Sequence, residues 1–387
     1  MSFKKLFSKS LGADPDRLHV AAHSHHLWPD ASYDGQVECW TDAARLADRK
    51  WDRIMGEVWP EAQAHVGNEL GGVPADRIVF SANTHDFIIR LVAACPRKAD
   101  GPLRILTTDG EFHSARRQFA RWIEEGRIEQ TLVPAEPFDT LGERLFEAAA
   151  AGDHDLIFAS QMLFGAGREL APLEPIVELA DPDGPWVVVD GYHSFMAIPA
   201  PFPKALADRA FFLGGGYKYA MAGEGMAFMS CPPGFGPRPP LTGWFAEFDD
   251  LSLPPGMVGY APDAMRFMGA TFDASSLYRF NHIRRMLAAE GLDTASISSH
   301  VRALQHRLVE LVAGTPLAEA ELLNPPGERP GARFLAFRDP RAAAWYSALK
   351  ARNVLTDVRG AVIRIGLGLY HDDADIDALA SHLQELA

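Results

Sequence analysis

Between residues 78 and 230, short apolar runs alternate with stretches of helical periodicity, and this alternation limits the possible folds more than any other feature. Most of the runs are almost continuously apolar, which is typical of strands buried on both faces. We therefore predict an α/β domain in which helices cover both faces of a mostly parallel seven-stranded sheet, a three-layer αβα arrangement. The predicted strands are Ile78–Ser81, Arg104–Thr107, Ile128–Val133, Leu156–Ser160, Trp186–Asp190, Ala210–Leu213 and Met226–Ser230. The predicted helices between them include Ala115–Glu125, Gly142–Ala150 and Pro175–Ala180.

The last two predicted strands are joined by a turn-rich stretch without a helix, so one of them is expected to be antiparallel. After residue 230 the amino-acid composition changes. Residues 231–262 are rich in proline and glycine, which predicts a long ordered connection across the surface. The remainder predicts two long helices and then a small α+β unit. These helices are Ser276–Glu290 and Asp293–Val312, and the small unit has strands Arg333–Phe337 and Val362–Gly366 with helices Arg341–Ala351 and Ala374–Glu385.

This pattern, with the length of 387 residues, predicts two domains. The large domain is expected over residues 18–265 and the small C-terminal domain over residues 266–387, with the N-terminal segment 1–17 joined to the small one.

Composition narrows the class of partner. The formal net charge is −14, and no compact run of lysine and arginine offsets it, so nucleic acid is not an expected partner. No stretch approaches the roughly 20 apolar residues of a membrane span, and membrane binding is not expected either. Three scattered cysteines predict a reducing compartment without disulfides, which indicates a cytoplasmic protein.

Ligands of open α/β sheets bind at the carboxyl ends of the strands, so the residues after each strand are the candidate site. One strand ends in Asp190, with His193 three residues later. An acid at this place can keep the ring nitrogen of pyridoxal 5′-phosphate (PLP) protonated, so that the ring accepts electrons from a carbanion. Taken alone, Asp190 could equally cap a turn.

A lysine follows the next strand. The segment Gly214-Gly215-Gly216-Tyr217-Lys218 places it after three glycines, which allow a close approach of the backbone to a bulky ligand. An amine in such a pocket can lose its proton and form a Schiff base. The alternative is a surface lysine on a glycine turn, and the segment does not spell a dinucleotide or nucleotide phosphate loop.

Two further segments follow strands. Asn83 and Thr84 precede a predicted helix, whose start can bind phosphate, although an ordinary helix cap is an equally good interpretation. Phe112 follows the second strand and could stack on a flat heterocycle or pack in the core.

Together these segments resemble kynureninase and its class V aminotransferase relatives, which are fold-type-I PLP enzymes. The resemblance covers about residues 20–370, with the motifs in the family's order. The motifs are Asp190-x-x-His193, Tyr217-Lys218-Tyr219, Leu241-Thr242-Gly243-Trp244-Phe245 and Arg266-Phe267-Met268-Gly269-Ala270-Thr271.

The resemblance implies PLP as cofactor and a role for each matching residue. Lys218 would hold PLP and move the Cα proton of an amino acid substrate, Asp190 would pair with the ring nitrogen and His193 would lie beside it. Phe112 would stack on the ring. The phosphate would be bound by Asn83, Thr84 and Tyr217.

The family likeness also implies a homodimer with shared active sites, in which Trp244 and Thr271 reach the neighbouring subunit's cofactor. Arg364 would bind the substrate α-carboxylate. In the loop with His23, His25 and His26 the chain departs from the family, and no matching acid or cysteine cluster supports a metal. We expect this loop, and His25 in it, on the substrate side.

Several reactions are compatible with these residues. The resemblance favours kynureninase-like hydrolysis of a Cβ–Cγ bond, with transamination, epimerisation and a lyase reaction as alternatives. Residues 232–387 contain no cysteine, which argues against a persulfide-forming desulfurase. A dinucleotide-binding protein is a further alternative, but Ser81–Asp86 carries no dinucleotide fingerprint.

Overall fold

The computed structural model describes residues 2–248 and 252–386. Its strands are β1 Leu18–His19, β2 Ile78–Ser81, β3 Leu103–Thr108, β4 Ile128–Val133, β5 Leu156–Ser160, β6 Trp186–Asp190, β7 Phe211–Gly215, β8 Ala227–Ser230, β9 Glu321–Leu322, β10 Phe334–Arg338, β11 Val354–Leu355, β12 Asp357–Arg359 and β13 Val362–Gly366. Its α-helices are α1 Ser8–Gly12, α2 Asp30–Leu46, α3 Lys50–Arg53, α4 Trp59–Leu70, α5 Thr84–Ala94, α6 His113–Glu124, α7 Leu141–Ala151, α8 Glu174–Glu178, α9 Lys204–Ala207, α10 Ser275–Ala289, α11 Thr294–Val312, α12 Ala342–Lys350 and α13 Asp373–Gln384. Short 3₁₀ segments lie at Lys4–Phe7, Ala47–Arg49, Ala75–Arg77, Phe138–Thr140, Trp244–Glu247, Ala264–Phe267 and Pro316–Glu319, and a π-helical turn, Ile54–Val58, joins α3 to α4.

Among the described residues, seven strands form the large sheet in the order β2-β8-β7-β6-β5-β3-β4. The neighbours from β4 to β7 are parallel, and β8 is antiparallel to both β7 and β2. This confirms the mostly parallel sheet and the expected antiparallel strand. The central strands β5, β6 and β7 are buried at every position, because helices cover both faces, whereas β4 at the edge is partly exposed.

The three glycines before Lys218 are required for close packing. A Cβ added to Gly215 would lie 2.6 Å from the Tyr192 hydroxyl, and one added to Gly214 would lie 2.5 Å from the Phe228 ring. These distances are shorter than van der Waals contact, so the glycines let β7 approach its own neighbours in the fold. None of the three glycines lines the cavity described below, whereas Tyr217 and Lys218, which follow them, do.

A second, antiparallel sheet has the order β12-β13-β10-β9, and β1 pairs in parallel with β11. The domain limits predicted at residues 18–265 and 266–387 remain predictions. The two hydrophobic cores divide the chain differently, since Val20 packs in the second core with β10 and β13, while α10 packs in the first. Helix α10 lies on α2, where the Tyr278 hydroxyl donates to Asp42 Oδ2 at 3.0 Å.

No helix in the described part of the chain is long and apolar enough to cross a membrane.

Candidate active site

A cavity of about 410 Å³ lies at the carboxyl ends of β5, β6 and β7 and is bounded on another side by residues of β12 and β13. This is the position that open α/β sheets offer to ligands. Its walls bring together most of the residues predicted from the sequence. The lining residues are His23, Ser24, Asn83, Thr84, His85, Phe112, Ser114, Ser160, Met162, Phe164, Asp190, Tyr192, His193, Tyr217, Lys218, Arg359 and Arg364.

Lys218 stands three residues after β7 and reaches the cavity from the centre of the sheet. Its Nζ atom is 2.7 Å from His193 Nε2 and lies 4.6 Å from the centroid of the Tyr192 ring. Burial lowers the pKa of Lys218 to about 7, an effect that Asp190 opposes and Arg364 reinforces. The amine can therefore lose its proton near neutral pH, as a Schiff-base lysine must.

Asp190 is the last residue of β6 and is buried. Its Oδ1 accepts the backbone N–H of Tyr192 at 2.9 Å. Burial raises the pKa of this carboxyl, while the Tyr192 N–H and Lys218 act against the rise. Among the described residues no cation lies within ion-pair distance of Asp190, although Lys218 faces the same cavity.

His193 lies between Lys218 and the buried Tyr219. Its Nδ1 atom lies 3.5 Å from the Tyr219 hydroxyl, and burial together with the charge of Lys218 holds the pKa of His193 well below its usual value. A neutral imidazole can accept a hydrogen bond from the lysine amine at Nε2. The structure thus places His193 beside Lys218, within hydrogen-bond distance of its amine.

The opposite end of the cavity is the start of α5. Asn83 is its N-cap, and its side chain accepts the backbone N–H of Asp86 at 3.0 Å. Thr84 and His85 also line the cavity, and His85 Nε2 is 3.0 Å from the Gln118 amide oxygen. The Asn83 side chain therefore caps α5, and because Asn83, Thr84 and His85 line the cavity, the positive end of this helix lies beside it.

Phe112 is 39% exposed and lies on the cavity wall, not in the core. Its ring contacts Phe164 edge-on at 5.2 Å between centroids, and Lys218 Nζ lies 5.6 Å from its centroid. A partly exposed aromatic ring at this place can cover a flat ligand.

His23 and His25 of the N-terminal loop lie in different places relative to the cavity. The Tyr217 hydroxyl lies 3.2 Å from His25 Nδ1, and His25 stands behind Tyr217, off the cavity wall. His23 lines the cavity instead, is fully buried and has no hydrogen-bond partner at either ring nitrogen within the described residues. The contact that was expected of His25 is therefore better matched by the position of His23. No group of three potential ligands that could hold a metal is present in residues 2–248 and 252–386.

Trp244 and Thr271 lie together but outside this cavity. Trp244 Nε1 donates to Thr271 Oγ1 at 3.3 Å, and the indole is 41% exposed. Thr271 borders a separate cavity of about 340 Å³ beside Arg90. Neither residue faces the Lys218 of its own chain.

Arg364 on β13 is buried against the cavity. One terminal nitrogen donates to the Asp357 carboxylate and the other to the Phe164 carbonyl oxygen. Asp357 also accepts from Arg359 Nη1 at 3.0 Å, and its Oδ2 lies 3.6 Å from His23 Nε2. Burial raises the pKa of Asp357, but His23 and the arginines outweigh this and lower it to about 2.

Sequence reasoning missed several groups of the site. Glu111 is fully buried, accepts the Ser160 hydroxyl at 2.5 Å and the Thr108 hydroxyl at 2.6 Å, and has a pKa raised by burial to about 7. Ser160 ends β5 and lines the cavity. The rule that selected Asp190, the last residue of a buried strand, would have selected Ser160 as well. No comparable local signal marks Asp357 or Arg359.

The positions of Lys218 and Asp190 can be compared with the functional groups of PLP. The half-buried amine of Lys218 and the buried carboxyl of Asp190 face one cavity without an ion pair between them, and a ligand that contacts both would offset the cost of their desolvation. PLP offers an aldehyde to the lysine, a ring nitrogen to the acid and a phosphate to the start of α5. The residues present therefore fit this cofactor.

Known proteins resemble this chain in sequence and in fold. No family model matches the chain. Isopenicillin N epimerase from Streptomyces clavuligerus is 25% identical over 363 residues, which cover 89% of both chains.

Solved structures with the same fold are more distant in sequence. A mutant of C-DES with glycine covalently linked to its PLP cofactor has a TM-score of 0.78 and 15% identity over the whole of both chains. The cystine C-S lyase C-DES with its product cysteine persulfide has a TM-score of 0.80 and 15% identity over 98% of this chain and all of that one. The apo cysteine desulfurase from Thermococcus onnurineus NA1 has a TM-score of 0.77 and 16% identity over 100% of this chain and 98% of that one.

The chain therefore has the α/β fold of PLP-dependent, class V aminotransferase-like enzymes, and the predicted fold class is confirmed. The PLP cofactor of the C-DES mutant is consistent with the PLP predicted from Lys218 and Asp190. Within this fold, the finer resemblance to kynureninase remains a prediction.

Proposed function

We propose that this protein is a PLP-dependent enzyme that removes the Cα proton of an amino acid, with Lys218 as the residue that holds the cofactor and moves the proton. The observation that carries the proposal is the placement of the half-buried Lys218 and the buried Asp190, without an ion pair between them, on one cavity at the carboxyl ends of the strands. The fold and the similarity to PLP enzymes support it.

When bound, the cofactor supplies a protonated ring that withdraws electrons from the Cα of an attached amino acid. Asp190 would keep the ring nitrogen protonated, and Phe112 would cover the ring. Asn83 and Thr84 at the start of α5 would bind the phosphate, together with the Tyr217 hydroxyl, which His25 orients.

Lys218 has the properties of a base near neutral pH, because burial lowers its pKa to about 7. His193 Nε2, 2.7 Å away, would hold the free amine in place while it takes and returns the proton. Arg364 would bind the α-carboxylate, and the fixed contacts of its guanidinium to Asp357 and Phe164 would set the orientation of the substrate.

The reaction that we favour after proton removal is kynureninase-like hydrolysis of a Cβ–Cγ bond. It is supported by the motif series from Asp190 to Thr271, which follows the order found in kynureninases. Desulfuration through a persulfide is disfavoured, although the structural relatives include cysteine desulfurases, because Cys231 is buried and no cysteine follows it.

The second candidate is inversion at Cα. It is favoured by the 25% identity to isopenicillin N epimerase, which extends over 89% of this chain. Inversion begins with the same proton removal by Lys218 and differs in the face to which the proton returns.

We also propose a homodimer that shares its active sites. Trp244 and Thr271 are joined by a hydrogen bond and lie away from the cavity of their own chain, which would leave them available to the site of a second subunit. A cytoplasmic location stays a prediction from the cysteine content.

The test begins with the absorption spectrum of the purified protein reconstituted with PLP. We expect a visible band that is absent in Lys218→Ala and retained in Lys204→Ala, a variant of an exposed lysine that pairs with Asp208. Wild-type protein without such a band would contradict the proposal.

A screen with L-kynurenine, 3-hydroxykynurenine, alanine and D-amino acids then distinguishes the reactions. Release of anthranilate from L-kynurenine would establish hydrolysis, and formation of the mirror-image amino acid would establish inversion. Conversion of the cofactor to its pyridoxamine form without a cleavage product would indicate transamination and would exclude both candidates.

A further inference from the structure

Two arginines line the substrate wall of the cavity, and a third, Arg116, borders the cavity that adjoins it. The two that line the wall are Arg359 on β12 and Arg364 on β13, and a single arginine suffices to bind a carboxylate through two hydrogen bonds. The two guanidinium groups differ in their surroundings, which indicates different tasks.

Arg364 is fixed from within the protein. It is 3% exposed, both terminal nitrogens donate to Asp357 and to the Phe164 carbonyl, and its Nε atom is buried without a partner among the described residues. His23 beside it is also buried, and its Nε2 atom lies 3.6 Å from Asp357 Oδ2. These contacts fix the guanidinium of Arg364 at the cavity wall, where it can bind one carboxylate.

Arg359 is placed at the rim. Its side chain is 41% exposed, and Asp357 is the carboxylate that it contacts in the described part of the chain. Arg359 and Phe164 border both the Lys218 cavity and an adjoining cavity of about 370 Å³. A substrate side chain that extends past Phe164 would therefore meet Arg359.

The surroundings of this rim are also positive. Helix α6 begins there without an acidic residue in its first turn, where a positive helix end already favours anions. Arg116 on this helix has no carboxylate within ion-pair distance among the residues described, and it borders the adjoining cavity. Burial and then the charges of Arg359, Arg116 and Arg364 lower the pKa of His113, which places these groups around one point.

The acids of the region are already occupied. Asp357 is shared by the two arginines of the wall. In the adjoining cavity, Glu136 pairs with Arg338, and Asp109 Oδ1 accepts the backbone N–H of Ala135 at 2.7 Å. A second anion brought by the substrate would therefore meet Arg116, which has no ion pair among the described residues, and Arg359, which shares its carboxylate partner Asp357 with Arg364.

We propose that the substrate is an amino acid whose side chain carries a second anionic group, with the α-carboxylate on Arg364 and the side-chain anion on Arg359 and Arg116. The inference rests on the proposed PLP function and adds the substrate class. It concerns the removal of the Cα proton, which precedes both candidate reactions, and for Cβ–Cγ hydrolysis the second anion would lie beyond the γ-keto group of the substrate.

The experiment measures binding of matched pairs of amino acids, glutamate against glutamine and aspartate against asparagine, to the PLP-loaded protein. Binding is followed by the change of the cofactor's visible absorption during titration. We expect the acid of at least one pair to bind about tenfold more tightly than its amide, because only the acid can form a charge-assisted pair with Arg359.

Three variants assign the contacts. Arg359→Gln is expected to reduce the acid-to-amide ratio to near one, whereas Arg364→Gln is expected to weaken acid and amide alike. Arg117→Gln serves as the matched control, since Arg117 lies on the same helix outside both cavities, and it should keep the wild-type ratio.

Equal binding of acids and amides to a protein that shows the visible band would overturn the substrate class and leave the PLP function intact. Loss of both acid and amide binding in Arg359→Gln would also overturn it, because Arg359 would then bind the α-carboxylate. A protein without the band would instead contradict the proposed function itself.

Discussion

Lys218 is half-buried and Asp190 is buried, and the two face one cavity without an ion pair between them. Each was selected from the sequence by its place after an apolar strand, but the separation of the two by 28 residues has no local meaning. They meet because β6 and β7 are parallel neighbours, with Asp190 aligned to Leu213. Their burial shifts both pKa values towards the neutral forms, which makes their chemistry sensitive to pH.

The rate at which cofactor-free protein captures PLP should rise with pH and level off above about pH 7. The pKa of Lys218 is lowered from 10.5 to about 7, so the amine is protonated and unreactive below that pH and free above it. In the unfolded chain the pKa returns to its ordinary value, so unfolded protein binds more protons between these limits and stability rises with pH there. Growth of the visible band between about pH 6 and about pH 9 measures the rate. A rate that still climbs through pH 9 would mean that the lysine is not perturbed.

Asp190→Ala should retain part of the cofactor and lose turnover by about a hundredfold or more, because the ring nitrogen would no longer be held protonated. Turnover and PLP affinity are measured separately by steady-state kinetics and by titration. The exposed Asp183→Ala provides the control. Normal turnover in Asp190→Ala would remove this residue from the mechanism.

At the scale of elements, the strands of the large sheet were predictable to within about two residues, because each is a distinct apolar run. The short strands β1, β9, β11 and β12 were not predicted, because two or three residues carry no periodicity and depend on partners far along the chain. The N-cap of helix α5 could be predicted from the sequence, but the direction of its N-terminus towards the cavity could not.

Asn83→Ala should lower the free energy of unfolding by about 1 kcal/mol, since it removes the N-cap of α5, and should also weaken PLP binding. Chemical denaturation and PLP titration measure the two effects. Asp293→Ala removes the cap of α11, which starts away from the cavity, and is expected to cost similar stability at unchanged PLP affinity. Equal PLP affinity in both variants would show that the start of α5 does not bind the phosphate.

At the scale of the whole molecule, the cavity is enclosed by parts of both sheets. Residues of β12 and β13 face the ends of β5 to β7, and the N-terminal loop fills the space between them. Trp244 and Thr271 lie elsewhere on the surface, where only a second chain could bring them to an active site.

Mixing of two inactive variants tests this sharing. Lys218→Ala and Trp244→Ala subunits, unfolded and reassembled together, should regain about a quarter of wild-type activity, because half of the dimers are hybrids and each hybrid has one intact site. Steady-state turnover and sedimentation measure activity and assembly. Absence of recovery in dimers of proven mixed composition would exclude shared sites.

The sequence by itself determined the α/β class, the positions of the strands along the chain and the choice of Asp190, His193 and Lys218 as candidates, because apolar periodicity and the residue after each strand are local properties. Tertiary structure alone decided that His23 lines the cavity and His25 does not, that Asp357 holds Arg364, and that Arg359 joins two cavities. These contacts join side chains up to several hundred residues apart, and their geometry depends on how the two sheets pack, which no local pattern encodes.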